Sequence, residues 1–318
     1  MNDIEQTWLS PDGSFIPGVY AGLPDSIYHS WDLISNSRLS DVDGLPEMCE
    51  WSRKYGKDRT DAMRLGTAFH TATLEPDRLA DEFVEPEPCS GVIKSSGKTC
   101  GAMSAKPHGD EDAPTWLCGR HNKGMGEPLE VETLPPSQRV SLGHMLTSTL
   151  RYQDAARLLD LPGSRELSII YNRDGLMYKA RIDMYATSAG GILGDIKTCP
   201  DPTLEGFGRK VFTMGYLRQL AKYRRALRTV DMPVAYASII AVQSVIPYAV
   251  RVYDVPEELL DLGEEDLDRL DAEYRRRSES NNWIGNDGKA VELEMPAWAV
   301  QRIERRVAEA NNITEISK

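Results

Sequence analysis

The chain has no apolar run approaching the ~18 residues of a membrane span, and its opening MNDIEQTWLS lacks the basic-then-apolar order of a signal peptide. The expected location is therefore cytoplasmic, with no membrane partner. Positive charge is in deficit as well: 37 Lys and Arg stand against 49 Asp and Glu, a formal net charge of -12 over 318 residues. Such a balance suits a soluble protein and argues at first sight against nucleic acid as a partner, although binding a polyanion needs only a local basic surface. Cysteine is scarce and odd in number, at five, which argues against a disulfide framework and leaves burial or metal ligation. What is present is an ordinary apolar fraction of 41% on a chain long enough for a sizeable core. One domain over 1–318 carrying an insertion is the expectation.

The most informative stretch is 166–197, ELSIIYNRDGLMYKARIDMYATSAGGILGDIK. Its pattern predicts strands at 166–171, 176–186 and 192–197, separated by turns at 172–175 (NRDG) and 188–191. Asp195 and Lys197 are two apart and share a face of their strand, with Ile196 on the other. In the preceding strand Arg181 and Asp183 alternate with Ala180, Ile182 and Met184, and a hairpin register can set Asp183 opposite Asp195. Glu166 opens the first strand. Three carboxylates and one amine converge, the minimum set for holding a divalent metal against a phosphodiester.

Before this stretch, 1–50 is acidic and reads as a solvated face. Ser35 or Asn36 can cap a short helix, and Pro46 starts another reaching Tyr55. The apolar spacing of TDAMRLGTAFHTATL predicts a helix over 60–74, with Gly66 allowing close packing. His70 on that helix, taken alone, reads as a core or surface residue. A further helix is expected over 136–161.

Residues 87–126 lose apolar periodicity and read as an insertion. Cys89, Cys100, Cys118 and His121 supply four soft or borderline ligands, the last two at knuckle spacing, so a structural zinc would stabilise a segment with almost no core. The rival readings are reduced cysteines in a loop, or an iron–sulfur cluster recruiting Cys49. His108 could replace His121.

After the central stretch, one long helix is expected over 205–229. It carries Arg209, Lys210, Arg218, Lys222, Arg224, Arg225 and Arg228 against Glu205. That is a candidate phosphate-facing surface or, residue by residue, a solvated or salt-bridged face. Gln219 and Tyr223 are four apart and share a side of it. Strands at 234–245 and 249–255 bring the sheet to about five, and helices over 256–280 and 297–310 follow. The catalytic sheet and basic helix are thus placed within 164–255.

Six segments occur in a set order across roughly 28–227: ISNSRLSDVDGLPEMCEW, LGTAFHTATLEPDR, ELSIIY, KARIDMY, GDIKT and GYLRQLAKYRRAL. Together they resemble the PD-(D/E)XK nucleases, and more closely the phage and prophage exonucleases of the RecE (exonuclease VIII) type, with their lambda-exonuclease-like or RecB-like fold. The resemblance implies an α/β restriction-endonuclease-like core, a mixed sheet flanked by helices. It implies a metal-dependent exonuclease of a phage-infected bacterial host that digests one strand of linear duplex DNA from 5′ to 3′, exposing 3′ tails for recombination. A single-strand annealing protein (RecT/Beta type) would be its partner, and a ring of subunits its assembly. Carried onto this sequence, His70, Asp183, Asp195 and the Ile196 carbonyl would ligate Mg²⁺ or Mn²⁺. Lys197 would orient or deprotonate the nucleophile, and Glu166 would serve a second metal or a water. Gln219 and Tyr223 would position the strand, with Arg218 and Lys222 on phosphates. The Cys-rich insertion departs from the family pattern. Two alternatives stand beside this one: a catalytically silent DNA-binding or assembly protein, and an endonuclease or CRISPR-type nuclease on the same fold.

Overall fold

The computed structural model describes residues 8–10, 12–57, 59–84, 87–102, 106–109, 114–125, 132–285, 290, 292–295 and 297–316. A six-stranded mixed sheet, one strand more than the sequence suggests, organises them. Its strands are β1 (Gly18–Tyr20), β2 (Ser164–Arg173), β3 (Leu176–Ala186), β4 (Ile192–Cys199), β5 (Tyr236–Gln243) and β6 (Val250–Asp254), neighbours in that order. All pairs are antiparallel except β4 with β5, which run parallel. A parallel pair needs a crossover. Helices Leu204–Thr213 and Tyr216–Arg228 supply it.

Helices cover both faces. On one, Leu39 and Val42 of helix Asn36–Gly44, Leu220 and Leu227 of Tyr216–Arg228, and Leu260, Leu267 and Leu270 of Glu257–Ser280 share a core with Ile182, Leu193 and Ile239. On the other, Leu65, Phe69, Leu142 and Met145 from helices Asp61–Leu74 and Pro136–Arg151 pack on Ile196, Ile240 and Val242. The alternation along β4 and β5 decides which residue meets which layer. Burying a side chain of this size contributes roughly 1.5–3 kcal/mol, so these two layers fix the sheet on which the site is built.

Two expected helices are each broken. The one expected over 136–161 ends at Arg151 because Tyr152 is extended and its N–H returns to the Ser148 and Thr149 carbonyls. Ala155 then buries a second helix, Gln153–Asp160. The one expected over 205–229 stops at Thr213, since Gly215 adopts a left-handed φ of +63° that glycine alone takes cheaply. The new helix direction turns Tyr216 and Tyr223 toward the sheet core.

The insertion leaves and rejoins the body at adjacent points, because Phe83–Val84 pairs in parallel with Glu132–Thr133. Within it, Lys106–Gly109 pairs with Pro114–Leu117, and Cys89, Trp116, Leu117 and Cys118 form a small core of their own. The chain divides into two compact units, Met1–Trp283 and Ile284–Lys318. The second contains helix Ala297–Ile316. No helix of the described residues is long and apolar enough to cross a membrane.

Candidate active site and a second ligand cluster

The site sits where the sheet ladder fails. Strands β2 and β3 pair from Ser164–Tyr185 to Arg173–Leu176 but skip the position of Glu166 and Asp183. Strands β3 and β4 pair from Ala186–Ile192 to Met184–Gly194 and stop where Asp183 would face Asp195. Both gaps fall on Asp183. Glu166 has a φ of +47°, a costly conformation for a residue with a Cβ. The register therefore brings Asp183 level with Asp195, as the hairpin reading requires, with the strands parted at that level. Into the opening Asp183 turns its carboxylate, and Oδ2 accepts the Ile196 N–H at 2.8 Å.

His70 arrives from helix Asp61–Leu74, which Thr60 caps through the Met63 N–H. One turn earlier Gly66 lies so close to β4 that an added Cβ would stand 3.2 Å from Thr198 Oγ1. That close seating places His70 Nδ1 3.5 Å from Asp183 Oδ2 and 3.9 Å from Glu166 Oε1. Ligand atoms of His70, Glu166 and Asp183 all lie within 4.8 Å of one another. Glu166 is held from behind by Arg181, whose Nε donates to its Oε2 at 2.7 Å and whose Nη2 donates to the Leu23 carbonyl. Sequence reasoning missed Arg181 as a tether.

Asp195 is 1% exposed; Oδ2 meets Lys197 Nζ at 2.6 Å, and Oδ1 has no hydrogen-bond partner among the described residues. An orphaned carboxylate oxygen beside two more acids and an imidazole is the donor set of a hard divalent cation. Lys197 also lies 5.1 Å from the centre of the Tyr216 ring, a support that the sequence did not reveal. Its Nζ donates to the Ile196 carbonyl at 3.3 Å.

The ionisation states show how crowded this volume is. Burial pushes the Asp195 carboxyl up to about 6, with Lys197 pulling it down and Asp183 raising it further. Burial also raises Asp183, against the pull of His70 and Lys197. Burial alone would lower His70 and Lys197, but the carboxylates around them prevail and both are raised. A cation among these groups would favour the ionised carboxylates that burial disfavours.

A cleft of about 590 Å³ opens over His70, Glu166 and Asp183 and is lined further on by Gln219, Lys222 and Tyr223. Gln219 Nε2 donates to Tyr223 Oη at 2.5 Å, so the two expected strand guides act as one unit. Arg218 and Lys222 are placed otherwise than the phosphate-facing reading supposes. Arg218 is 7% exposed and pairs with Asp43 and Asp266; Lys222 is 1% exposed and donates to the Ile34 carbonyl. Arg224 meets Asp261 and Glu264, Arg225 meets Asp268 and Asp271, and Arg228 meets Glu264. The basic face is neutralised by helix Glu257–Ser280, the salt-bridged alternative.

The second cluster lies in the insertion. His121 Nδ1 is 3.4 Å from both Cys89 Sγ and Cys118 Sγ, and Cys100 Sγ is 3.9 Å from Cys118 Sγ. The Arg120 backbone N–H, the largest influence, and the His121 ring hold the Cys118 thiol down at about 6 against burial. Gly91 makes room for the imidazole, since a Cβ there would come 2.4 Å from His121 Cγ. His108 is buried on the strand Lys106–Gly109 opposite Thr115 and is not a member of the cluster. Cys49 belongs to the main core, away from the iron–sulfur role considered for it.

Comparison with known proteins agrees with this fold. The profile of a family described as PDDEXK-like domain of unknown function (DUF3799) matches residues 47–289. A crystal structure from Eubacterium rectale described as a candidate exonuclease superposes with a TM-score of 0.53 at 12% identity, covering 87% of this chain and 97% of that one. At that identity the likeness shows the fold. Protein VC1899 from Vibrio cholerae (12% identity, 80% of this chain and 59% of that one) has a TM-score of only 0.21 and carries no argument. No curated protein matches the sequence significantly.

Proposed function

Because the chain belongs to this PDDEXK-like family of the PD-(D/E)XK superfamily, we propose that it is a metal-dependent nuclease that hydrolyses DNA phosphodiester bonds. We take it to be an exonuclease digesting one strand of linear duplex from 5′ to 3′. One observation carries the reading: three ligands from three elements, His70, Glu166 and Asp183, converge in a cleft beside the buried, orphaned Asp195 and its Lys197 partner. Sheet edges are often salt-bridged, but a buried acid with an unpartnered oxygen is costly unless something binds there.

Mg²⁺ or Mn²⁺ fits these hard oxygen donors, and when bound it polarises the scissile phosphate and acidifies a water. His70, Asp183 and Asp195 would hold it, and Glu166, whose ligand atom lies within 4.8 Å of those of His70 and Asp183 and which Arg181 anchors, would be a further donor. Lys197 keeps its proton at the Asp195 carboxylate and offers that charge to the phosphoryl oxygens as they gain negative charge. Tyr223 and Gln219 hold the strand in line. Attack by the water oxygen would form a new P–O bond as the bond to the 3′ oxygen breaks; the water would lose a proton to solvent and the leaving 3′ oxygen would take one from solvent, leaving a 5′-phosphate and a 3′-hydroxyl.

For the insertion, zinc is the ion of choice. A tetrahedral site with Zn–S ~2.3 Å and Zn–N ~2.0 Å sets S···S near ~3.8 Å and S···N near ~3.5 Å, close to the separations present. A single-strand annealing protein that loads on the exposed 3′ tail completes the proposed role in phage-type recombination.

Linear duplex with a 5′-phosphate, incubated with and without Mg²⁺, tests the reading. Wild type should degrade it only with the metal, and Asp195→Ala and Lys197→Ala should not. Metal-independent degradation, or full activity in both variants, would sink the mechanism; cutting of closed circles would make it an endonuclease.

A further inference from the structure

We infer that the Cys₃His insertion is a DNA-backbone clamp that supplies the cationic surface missing from the active-site helix; the identity of the partner rests on the nuclease reading above. A chain of net charge -12 must concentrate positive charge somewhere to hold a polyanion. The obvious place, helix Tyr216–Arg228, is closed to phosphate because its arginines meet carboxylates and Lys222 is buried.

The insertion is the reverse. Lys94, Lys98, Arg120 and Lys123 are exposed, and none of them makes an ion pair with a described residue. Glu87 is the only carboxylate among the insertion's described residues; Asp110, Glu111 and Asp112 lie in sequence between its two strands, outside the described residues. These four sit on the loops that carry the ligands; a fifth exposed cation, Lys106, opens the strand Lys106–Gly109. Lys94 and Lys98 lie between Cys89 and Cys100, in a turn closed by Gly97 N–H to the Ile93 carbonyl and Cys100 N–H to the Gly91 carbonyl. Arg120 lies between Cys118 and His121, and Lys123 follows in the same turn series. The ligand cluster thus ties both cationic loops to one point, which reduces the ordering cost of binding. Three thiolates and one zinc ion leave a charge of about -1, too little to account for four cations.

Full-length Lys94→Gln/Lys98→Gln/Arg120→Gln/Lys123→Gln tests this. The readout is anisotropy of a labelled blunt duplex of ~30 base pairs without Mg²⁺, over about 50–200 mM KCl, with zinc content checking that the insertion is folded. The expected result is at least tenfold weaker binding at the low-salt end and a log–log salt slope shallower by about 3–4, near 0.9 per lost phosphate contact. A zinc-loaded variant with the wild-type slope overturns the inference and assigns the loops to a protein partner instead. Failure of wild type to bind the duplex at all sinks the nuclease reading rather than this one alone. Should the quadruple variant lose zinc, the four single variants decide, each expected to lower the slope by about 1 and an unchanged slope in all four counting against the clamp.

Discussion

The two ligand clusters of this chain are held in opposite ways. His70, Glu166 and Asp183 stand on a sheet and a helix fixed by two large apolar layers, and protein groups orient them: Arg181 behind Glu166, the Ile196 N–H on Asp183. Cys89, Cys100, Cys118 and His121 stand on loops whose own core is four buried residues. In the first, the fold itself sets the ligand atoms together. In the second, a bound ion would have to hold the fold, because so small a core cannot offset the entropy of ordering its loops.

The sharpest break of that contrast is Cys118→Ser. Structural zinc in small modules is worth on the order of 10 kcal/mol, so this variant should lose zinc from about one per chain. Amide exchange across 89–102 and 114–125 should become fast, while the sheet strands around 164–199 keep their protection. Loosening of the sheet as well would mean that the insertion is part of the main fold. Conversely, Asp183→Asn should leave zinc content and melting temperature close to wild type, since the amide oxygen can still accept the Ile196 N–H. Nuclease activity should fall on the order of 10³-fold, the several kcal/mol that a metal ligand contributes to the transition state. A variant that retains activity would remove Asp183 from the site.

How legible each cluster was follows from the same contrast. Asp183, Asp195 and Lys197 could be read from a period of two and a hairpin register, which are local rules. His70 needed family resemblance, because nothing in a helix sequence says which strand it will cover. Arg181 was passed over: its diagonal reach to Glu166 exists only once β2 and β3 are in register and Asp183 has parted the ladder. The cations of Tyr216–Arg228 were plain in the sequence, but the acids that neutralise them lie on helix Glu257–Ser280, some forty positions on. That pairing is a tertiary fact. The break at Gly215 was in plain view, whereas the break at Tyr152 had no glycine or proline to mark it. Strand β1 was missed because three residues show no alternation.

If protein groups rather than the ion orient the sheet cluster, loosening one of them should weaken the metal without unfolding anything. Arg181→Gln frees Glu166 and should reduce Mg²⁺ affinity and activity by about 10–100-fold, as loss of a supporting partner does at other metal sites. Zinc content should not change. Equal metal affinity in this variant would mean that Glu166 holds its place through its own strained backbone.

The smallest effect, and the one that compares the clusters most directly, is that of pH on the sheet site. Burial raises the Asp195 carboxyl to about 6, so the ion-free fold retains a proton that the unfolded chain releases at ordinary carboxylate pH. Between roughly pH 4 and 6 the folded state therefore binds more protons than the unfolded one, and this group's contribution to stability falls as pH rises through that window. Metal binding runs the other way, because the cation needs the bare carboxylate. Its apparent affinity should fall by up to about tenfold per pH unit for each ligand that must shed a proton, and because His70 is itself raised above its ordinary value the fall begins above 6 and steepens below it. Calorimetric titration with Mg²⁺ between pH 5 and 8, in buffers of different ionisation heat, would show proton release that grows as the pH falls from 8 to 5. Flat affinity with no proton release would mean that the orphaned oxygen of Asp195 faces something other than a metal, and the sheet cluster would lose its claim to be ready-made for one.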